Sequence, residues 1–353
     1  MNAHHFFTRS LLKWNDQYNT REMPWKGEPD PYKIWLSEII LQQTRVEQGW
    51  DYYQRFITVF PTIQKLAKAS ETKVFKMWEG LGYYSRCKNL IHTAKFISKN
   101  YAGKFPSQYE QLLALKGIGN YTAAAIASFA FNLPYAVIDG NVYRVLSRYF
   151  GISTAIDEPA GKQYFATLAN ELLDKQKPGI YNQAIMDLGA VICKPRNPDC
   201  ADCPLNRHCV AFLQQTVHQL PVKAKRLERK QRWLYYFIIK HRGKIWVRKR
   251  GLGDIWENLY EFVLVETEKE YTPTAVWKLA AVKKIFGQLD PAKAAFSQKI
   301  RQQLTHQQIH GQFIEVHTNT PVSIKGYEQV SLKTIDKLPF PRLISGYLAE
   351  NRI

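Results

Sequence analysis

Apolar residues along the first two thirds of the chain recur at helical spacing. In NVYRVLSRYF, Val142, Val145, Leu146 and Tyr149 return every three to four positions and define one face. PYKIWLSEIILQQTRVEQGWDYYQRFI and YEQLLALKGIGNYTAAAIASFAF read the same way, and glycines and prolines punctuate the joins. After Cys209 the texture changes. HQLPVKAKRLERKQR is polar, basic and poor in large apolar residues, which reads as a linker. Beyond it, LYYFIIK and KIWVRKR flank a His-Arg-Gly turn and predict a β-hairpin. LYEFVLVE, GQFIEVHT and YEQVSLKT continue as strands, with helical TPTAVWKLAAV between them and LPFPRLISGYLAE at the end. The pattern therefore predicts a mainly α N-terminal half at 1–215, a basic linker at 216–230 and an α+β domain at 231–353. The sequence shows no internal repeat.

Composition narrows the function. The 353 residues carry a formal net charge of +19, with 20 Tyr and 9 Trp. Such an excess attracts polyanions, and aromatic rings suit base stacking, so a nucleic acid is the expected partner. No apolar run is long enough for a membrane span, and the N-terminal MNAHHFFTRS lacks the signature of a secretory signal. The expected setting is a cytoplasmic, nucleoid-associated monomer with no membrane partner.

Four of the five cysteines fall in CKPRNPDCADCPLNRHC, spaced Cys193-x6-Cys200-x2-Cys203-x5-Cys209. In a reducing compartment such a group reads as metal ligands, not as two disulfides. One compact loop with a single short pair suits a bulky iron–sulfur cluster better than one zinc ion, although four thiolates serve either. Lys194, Arg196 and Arg207 lie on the same loop, where fixed cations would face a phosphate backbone. Cys87 is left over and reads as a buried or inert thiol.

LKGIGNYTAAAIASFA sets Gly117 and Gly119 in a tight turn before a helix whose first N–H groups can bind phosphate. Two carboxylates stand in contrasting settings. Glu38 shares a helix face with Ile34, Trp35 and Leu41, so burial should hold its proton near neutrality. Asp139 precedes an amphipathic helix, where the N-terminus should favour the anion. A proton donor beside a fixed anion is what cleavage of an N-glycosidic bond requires.

Together these motifs resemble the A/G-specific adenine DNA glycosylases of the MutY type, within the helix-hairpin-helix glycosylase superfamily. The cysteine spacing resembles the [4Fe–4S] loop of endonuclease III-like enzymes, and the resemblance implies two helical subdomains carrying that cluster. WLSEIILQQTRV and IDGNVYRVLSR match Glu38 to the family's catalytic acid, Asp139 to its aspartate and Asn141 to a neighbouring site residue. GLGYYSRCKNL resembles the segment inserted into DNA, which makes Gln43 and Tyr83 candidate wedges. Tyr121, in GIGNYT, stands where strand-cutting relatives carry the lysine that forms a Schiff base, so a monofunctional enzyme is implied, with Tyr121 and Asn141 lining the site. Lys116 stands close by, and Trp25 and Lys26 fall near the implied base pocket. KRGLGDIWENLYEFVLVE resembles the start of a Nudix-like domain. Only Gly251 and Glu257 fit the hydrolase pattern there, so recognition of 8-oxoguanine without nucleotide hydrolysis is implied. QQLTHQQIH aligns with the family's recognition loop, with Leu304 in place of an aromatic, Thr305 in place of serine, and His306 retained. The implied substrate is double-stranded DNA with adenine opposite 8-oxoguanine or guanine. The competing readings are a hairpin glycosylase for another mismatch, such as a thymine remover, and a non-catalytic lesion-binding protein.

Overall fold

The computed structural model of the protein describes residues 3–224, 229–286, 294–319 and 323–351. The first stretch is helical: α1 (Ala3–Gln17), α2 (Pro31–Leu41), α3 (Val46–Val59), α4 (Ile63–Lys68), α5 (Glu71–Trp78), α6 (Tyr84–Asn100), α7 (Tyr109–Leu113), α8 (Asn120–Phe131), α9 (Gly140–Phe150), α10 (Pro159–Leu172), α11 (Pro178–Val191) and α12 (Val210–Leu213). The rest holds β1 (Lys230–His241), β2 (Lys244–Lys249), β3 (Tyr260–Thr267), α13 (Pro273–Trp277), α14 (Ala280–Phe286), β4 (Ala294–Phe296), β5 (Ile300–Gln303), β6 (Gln307–His317), β7 (Glu328–Ser331), α15 (Leu332–Ile335) and α16 (Arg342–Asn351).

Local chemistry sets the ends of the helices that matter most. Asp30 caps α2 by accepting from Tyr32 N at 2.9 Å, and Pro31 occupies the first turn, where its missing N–H costs nothing. Asp139 caps α9 through Asn141 N and Val142 N, both at 2.8 Å, and Gly151 ends that helix with φ +67°. The long helical stretch read at 31–57 is broken. Gln42 to Arg45 leave the helix and Gln43 takes φ 58°, so α2 and α3 are separate.

The chain divides into two compact units. One comprises Met1–Lys68 with Asn89–Arg226, and the other Ala69–Lys88 with Leu227–Ile353. In the first, Phe7, Leu11 and Trp14 of α1 pack with Val145, Leu146 and Tyr149 of α9, Phe165 and Leu168 of α10, and Leu188 of α11. The early part of the expected linker also belongs to this unit. Val217 and Leu220 are buried with Ala211, and Val222 O accepts from Ile156 N at 3.1 Å. Residues 225–228 of that linker lie outside the described residues.

The second unit is built on a seven-stranded mixed sheet in the order β4-β6-β1-β3-β2-β7, with β5 added on β6. The expected hairpin forms, pairing Lys240 with Ile245 and His241 with Lys244. Its central pair, β1 and β6, is parallel from Lys230–Gln307 to Lys240–His317. The segment Ala69–Lys88 joins this unit through Lys76 Nζ to Leu338 O (3.0 Å) and Phe340 N to Glu79 Oε1 (3.1 Å). Across the described residues no helix is long and apolar enough to cross a membrane.

Candidate active site

Glu38 lies on α2, where every residue from Ile34 to Ile40 is buried, and it is itself only 5% exposed. Burial pushes its pKa up to about 7, helped by the charge of Asp139 and opposed by a hydrogen bond from the Tyr121 phenol. Tyr121 comes from the first turn of α8 and feels both carboxylates. The structure thus brings Glu38, Asp139 and Tyr121 together from three helices.

Asn141 completes the group, its Nδ2 donating to Asp139 Oδ2 at 2.6 Å. Asp139 accepts from two backbone N–H groups as well, yet its pKa lies above the ordinary aspartate value because burial outweighs those donors. This corrects the expectation that the helix start alone would decide its charge. The difference between the two acids lies in their partners. Asp139 has three hydrogen-bond donors and the nearby Arg144, all favouring the anion, whereas Tyr121 is the side-chain donor acting on Glu38.

Two arginines that the sequence reading passed over tie this group to the cysteine loop. Arg144, one turn into α9, donates to Asn141 Oδ1 (2.8 Å), Gly189 O (2.6 Å) and Cys193 O (2.7 Å). Arg148, one turn further, reaches Lys194 O (2.8 Å), Val217 O (3.1 Å) and Cys193 Sγ (3.4 Å). Both are buried. Their i, i+4 spacing beside the apolar face of α9 was the available signal.

Cys193, Cys200, Cys203 and Cys209 are all free and together line one small cavity of about 30 Å³. Among the described residues, no group of three or more His, Cys, Asp or Glu is placed to hold a single metal ion. On the same loop Lys194 is paired with Asp199 at 2.8 Å, whereas Arg196 stands exposed. Cys87 is fully buried, and burial pushes its thiol well up.

The hairpin between α7 and α8 forms as read, but its glycines do different things. Gly117 has φ +81°, and a Cβ there would lie 2.6 Å from Asn89 Cβ. Gly119 is extended, caps α8, and has open space where a Cβ would be. Lys116 is exposed on the turn. Gln43 and Tyr83 are both exposed and both sit in left-handed backbone, with φ 58° and 47°. Such strain in non-glycine residues gathers at functional segments.

Within the second unit, Leu304, Thr305 and His306 form the turn between β5 and β6, closed by Leu304 N to Gln307 O at 2.8 Å. Tyr83 Oη lies 3.0 Å from Thr305 Oγ1, so two residues singled out separately meet. The acids of the Nudix-like segment are occupied. Asp254 and Glu266 pair with Arg232, Glu261 with Arg248 and Arg250, and Glu257 with Lys88. Arg232 holds the Asp254 carboxyl down to about 2.

Residues 36–171 match the family model described as HhH-GPD superfamily base excision DNA repair protein, and residues 234–350 match the NUDIX domain model. An adenine DNA glycosylase of Buchnera aphidicola (subsp. Schizaphis graminum) is 36% identical over 265 residues, covering 74% of this chain and 76% of that protein. The chain belongs to the adenine DNA glycosylase family. The human relative of that name is 40% identical over 222 residues, covering 60% of this chain and 40% of its own. Among solved structures, a thermostable thymine-DNA glycosylase is 28% identical with a TM-score of 0.56, covering 60% of this chain and 97% of its own. Endonuclease III in a trapped DNA covalent intermediate has a TM-score of 0.53 at 18% identity, which shows a shared fold. Membership in the family thus joins a helix-hairpin-helix half to a Nudix-like half.

Proposed function

We propose that the chain hydrolyses the N-glycosidic bond of adenine opposite 8-oxoguanine or guanine in duplex DNA and leaves an abasic site. The observation that carries this reading is the coupling of buried Glu38 with partly buried Asp139 through Tyr121, with the hydrogen-bond donors concentrated on Asp139. The adenine leaves the stack at a cost of a few kcal/mol to reach such a group. Glu38, still protonated near neutrality, donates to the departing base, a role worth roughly 10²–10⁴ in rate. Asp139, whose anionic form the Asn141 and Val142 donors favour against its burial, steadies the cationic sugar until water adds to it. Tyr121 has a phenol where a lysine amine would be needed to form a Schiff base, so the strand stays intact.

Four thiols lining one cavity are a donor set that suits a multi-atom cluster, and Arg148 at Cys193 Sγ supplies the N–H that cluster thiolates accept. Cys193, Cys200, Cys203 and Cys209 would hold a [4Fe–4S] cluster, which when bound cross-links the loop. Arg196 then reaches a phosphate, as do the open helix start at Gly119 and the hairpin turn at Gly117. Gln43 and Tyr83 act as wedges at the mispair, and Thr305 with His306 reads the oxidised guanine through a hydroxyl and an imidazole.

The test is base release from end-labelled duplexes bearing adenine opposite 8-oxoguanine, thymine opposite guanine, or thymine glycol. We expect cleavage of the first after alkali only. Release of thymine alone would instead assign the activity of the 28% identical solved relative, and strand breaks without alkali would contradict the monofunctional reading.

A further inference from the structure

Residues 250–259, between β2 and β3, form a loop that is pinned from within. Arg250 N donates to Leu259 O at 2.8 Å and Asn258 N to Arg250 O at 3.1 Å, which closes its base. The buried Arg250 guanidinium donates to Asp254 Oδ2 (2.6 Å) and Ile255 O (3.0 Å) and lies 5.8 Å from the centre of the Trp256 ring. Trp256 and Asn258 take φ 62° and 69°, a left-handed backbone that persists only where the surroundings fix it.

Two links leave this loop. The first is Asp254, which accepts from Nη1 and Nη2 of buried Arg232 at 2.7 and 2.8 Å. Glu266 accepts from Nε and Nη2 of the same guanidinium at 2.6 and 2.7 Å, and Gln307 Oε1 accepts from Nη1 at 3.1 Å. Every N–H of that guanidinium is thereby used. Gln307 directly follows the turn Leu304-Thr305-His306, and Lys230 N donates to His306 O at 3.0 Å. The second link is Glu257, which pairs with Lys88 and accepts from Asn258 Nδ2 at 3.2 Å. Lys88 lies one turn into α6, the helix that starts directly after Tyr83.

The two links meet again, because Tyr83 Oη lies 3.0 Å from Thr305 Oγ1. A ring of contacts thus runs from the loop through Lys88, Tyr83, Thr305, Gln307 and Arg232 and back to the loop, all within the second unit.

We propose that residues 251–257 are a frame that holds the wedge Tyr83 and the guanine-reading turn at a fixed spacing, with Lys88, Glu257, Arg232, Asp254 and Gln307 as positioning residues for lesion choice. The inference rests on the reading of Tyr83 and Thr305 as DNA contacts. Carboxylates of a hydrolase-like segment here hold basic side chains, and through them the two elements that meet the oxidised base. An 8-oxoguanine differs from guanine by an oxygen on C8 and a hydrogen on N7, so its reader must be placed to within about 0.5 Å. With the frame loosened, the oxidised base is met much as the plain one is. Adenine release opposite plain guanine makes no use of the added atoms and keeps its rate.

The experiment is single-turnover adenine release by the full-length protein from duplexes carrying adenine opposite 8-oxoguanine or opposite guanine. Arg232→Met would strip two carboxylates of their partner and endanger folding. Glu257→Gln and Gln307→Leu change partly exposed side chains, leave Arg232 with both acids, and are compared with wild type alone and combined. The preference for 8-oxoguanine is read as the ratio, between the two duplexes, of rate over half-saturating enzyme concentration. We expect each single variant to shrink it about fivefold, with the guanine duplex staying within about twofold of wild type. The combined variant should lose less than the product of the single losses, because both cut one ring. Wild-type preference in either single variant, equal losses on both duplexes, or a combined loss equal to that product would overturn the proposal. Tyr83→Ala and Thr305→Val test the reading beneath it: if both keep the wild-type preference, that reading falls instead.

Discussion

Glu38 was legible in the sequence because Ile34, Trp35 and Leu41 share its helix face, and a carboxyl drawn into such surroundings keeps its proton to a higher pH. Asp139 was legible as a cap but not as a partly buried group, since an N-cap pattern says nothing of what packs over it. Arg232 was legible only as one more charge in a basic stretch. Its partners Asp254, Glu266 and Gln307 are far away in sequence, and only the fold brings them together. Burial of Glu38 has a consequence for stability. Its ordinary pKa of 4.5 becomes about 7 in the folded chain, so the folded state holds a proton that the unfolded chain gives up. The stability that goes with that proton is complete below pH 4.5 and is lost as pH rises through about 7. The loss is about 3 kcal/mol at 1.36 kcal/mol per unit. Glu38→Gln does not titrate, so its advantage over wild type in urea unfolding should grow by up to that amount between pH 5 and pH 8. A gap that stays constant with pH would mean that Glu38 is not buried as a neutral acid.

Elements with strong periodicity or a tight turn were read correctly. The α7–α8 hairpin, α9, and the β1–β2 hairpin all formed where the pattern put them. The break between α2 and α3 was missed, because Gln42 to Arg45 contain neither glycine nor proline and the left-handed Gln43 leaves no mark in the sequence. Strands β4 and β5 were missed because they are only three and four residues long, too short for a period of two to show, and they exist by pairing with β6. The hairpin glycines separate folding from binding. Gly117→Ala forces a left-handed alanine against Asn89, at a cost of about 1–3 kcal/mol, and should lower the melting temperature. Gly119→Ala meets nothing within 4 Å, so the protein should melt as wild type does. Its added methyl stands at the helix start, and duplex affinity should fall. Equal duplex affinity for wild type and Gly119→Ala would remove that helix start from the DNA contact.

At the scale of the whole chain, a net charge of +19 and two matched families frame the function, while the chemistry depends on a few side chains in the first unit. The second unit matches a Nudix domain, yet Asp254, Glu257, Glu261 and Glu266 are all held by basic side chains. Carboxylates so engaged are poorly available to magnesium, so the full-length protein should not turn over 8-oxo-dGTP with that ion. Turnover above background would assign a second activity to that unit. The most direct test of the central claim is the pH dependence of single-turnover adenine release from the 8-oxoguanine duplex. With Glu38 as the proton donor at a pKa of about 7, the rate should hold below neutrality and fall about tenfold per unit above it, and Glu38→Gln should lose the activity while still binding the duplex. A rate that stays flat from pH 6 to 9, or a Glu38→Gln variant as fast as wild type, would contradict the account.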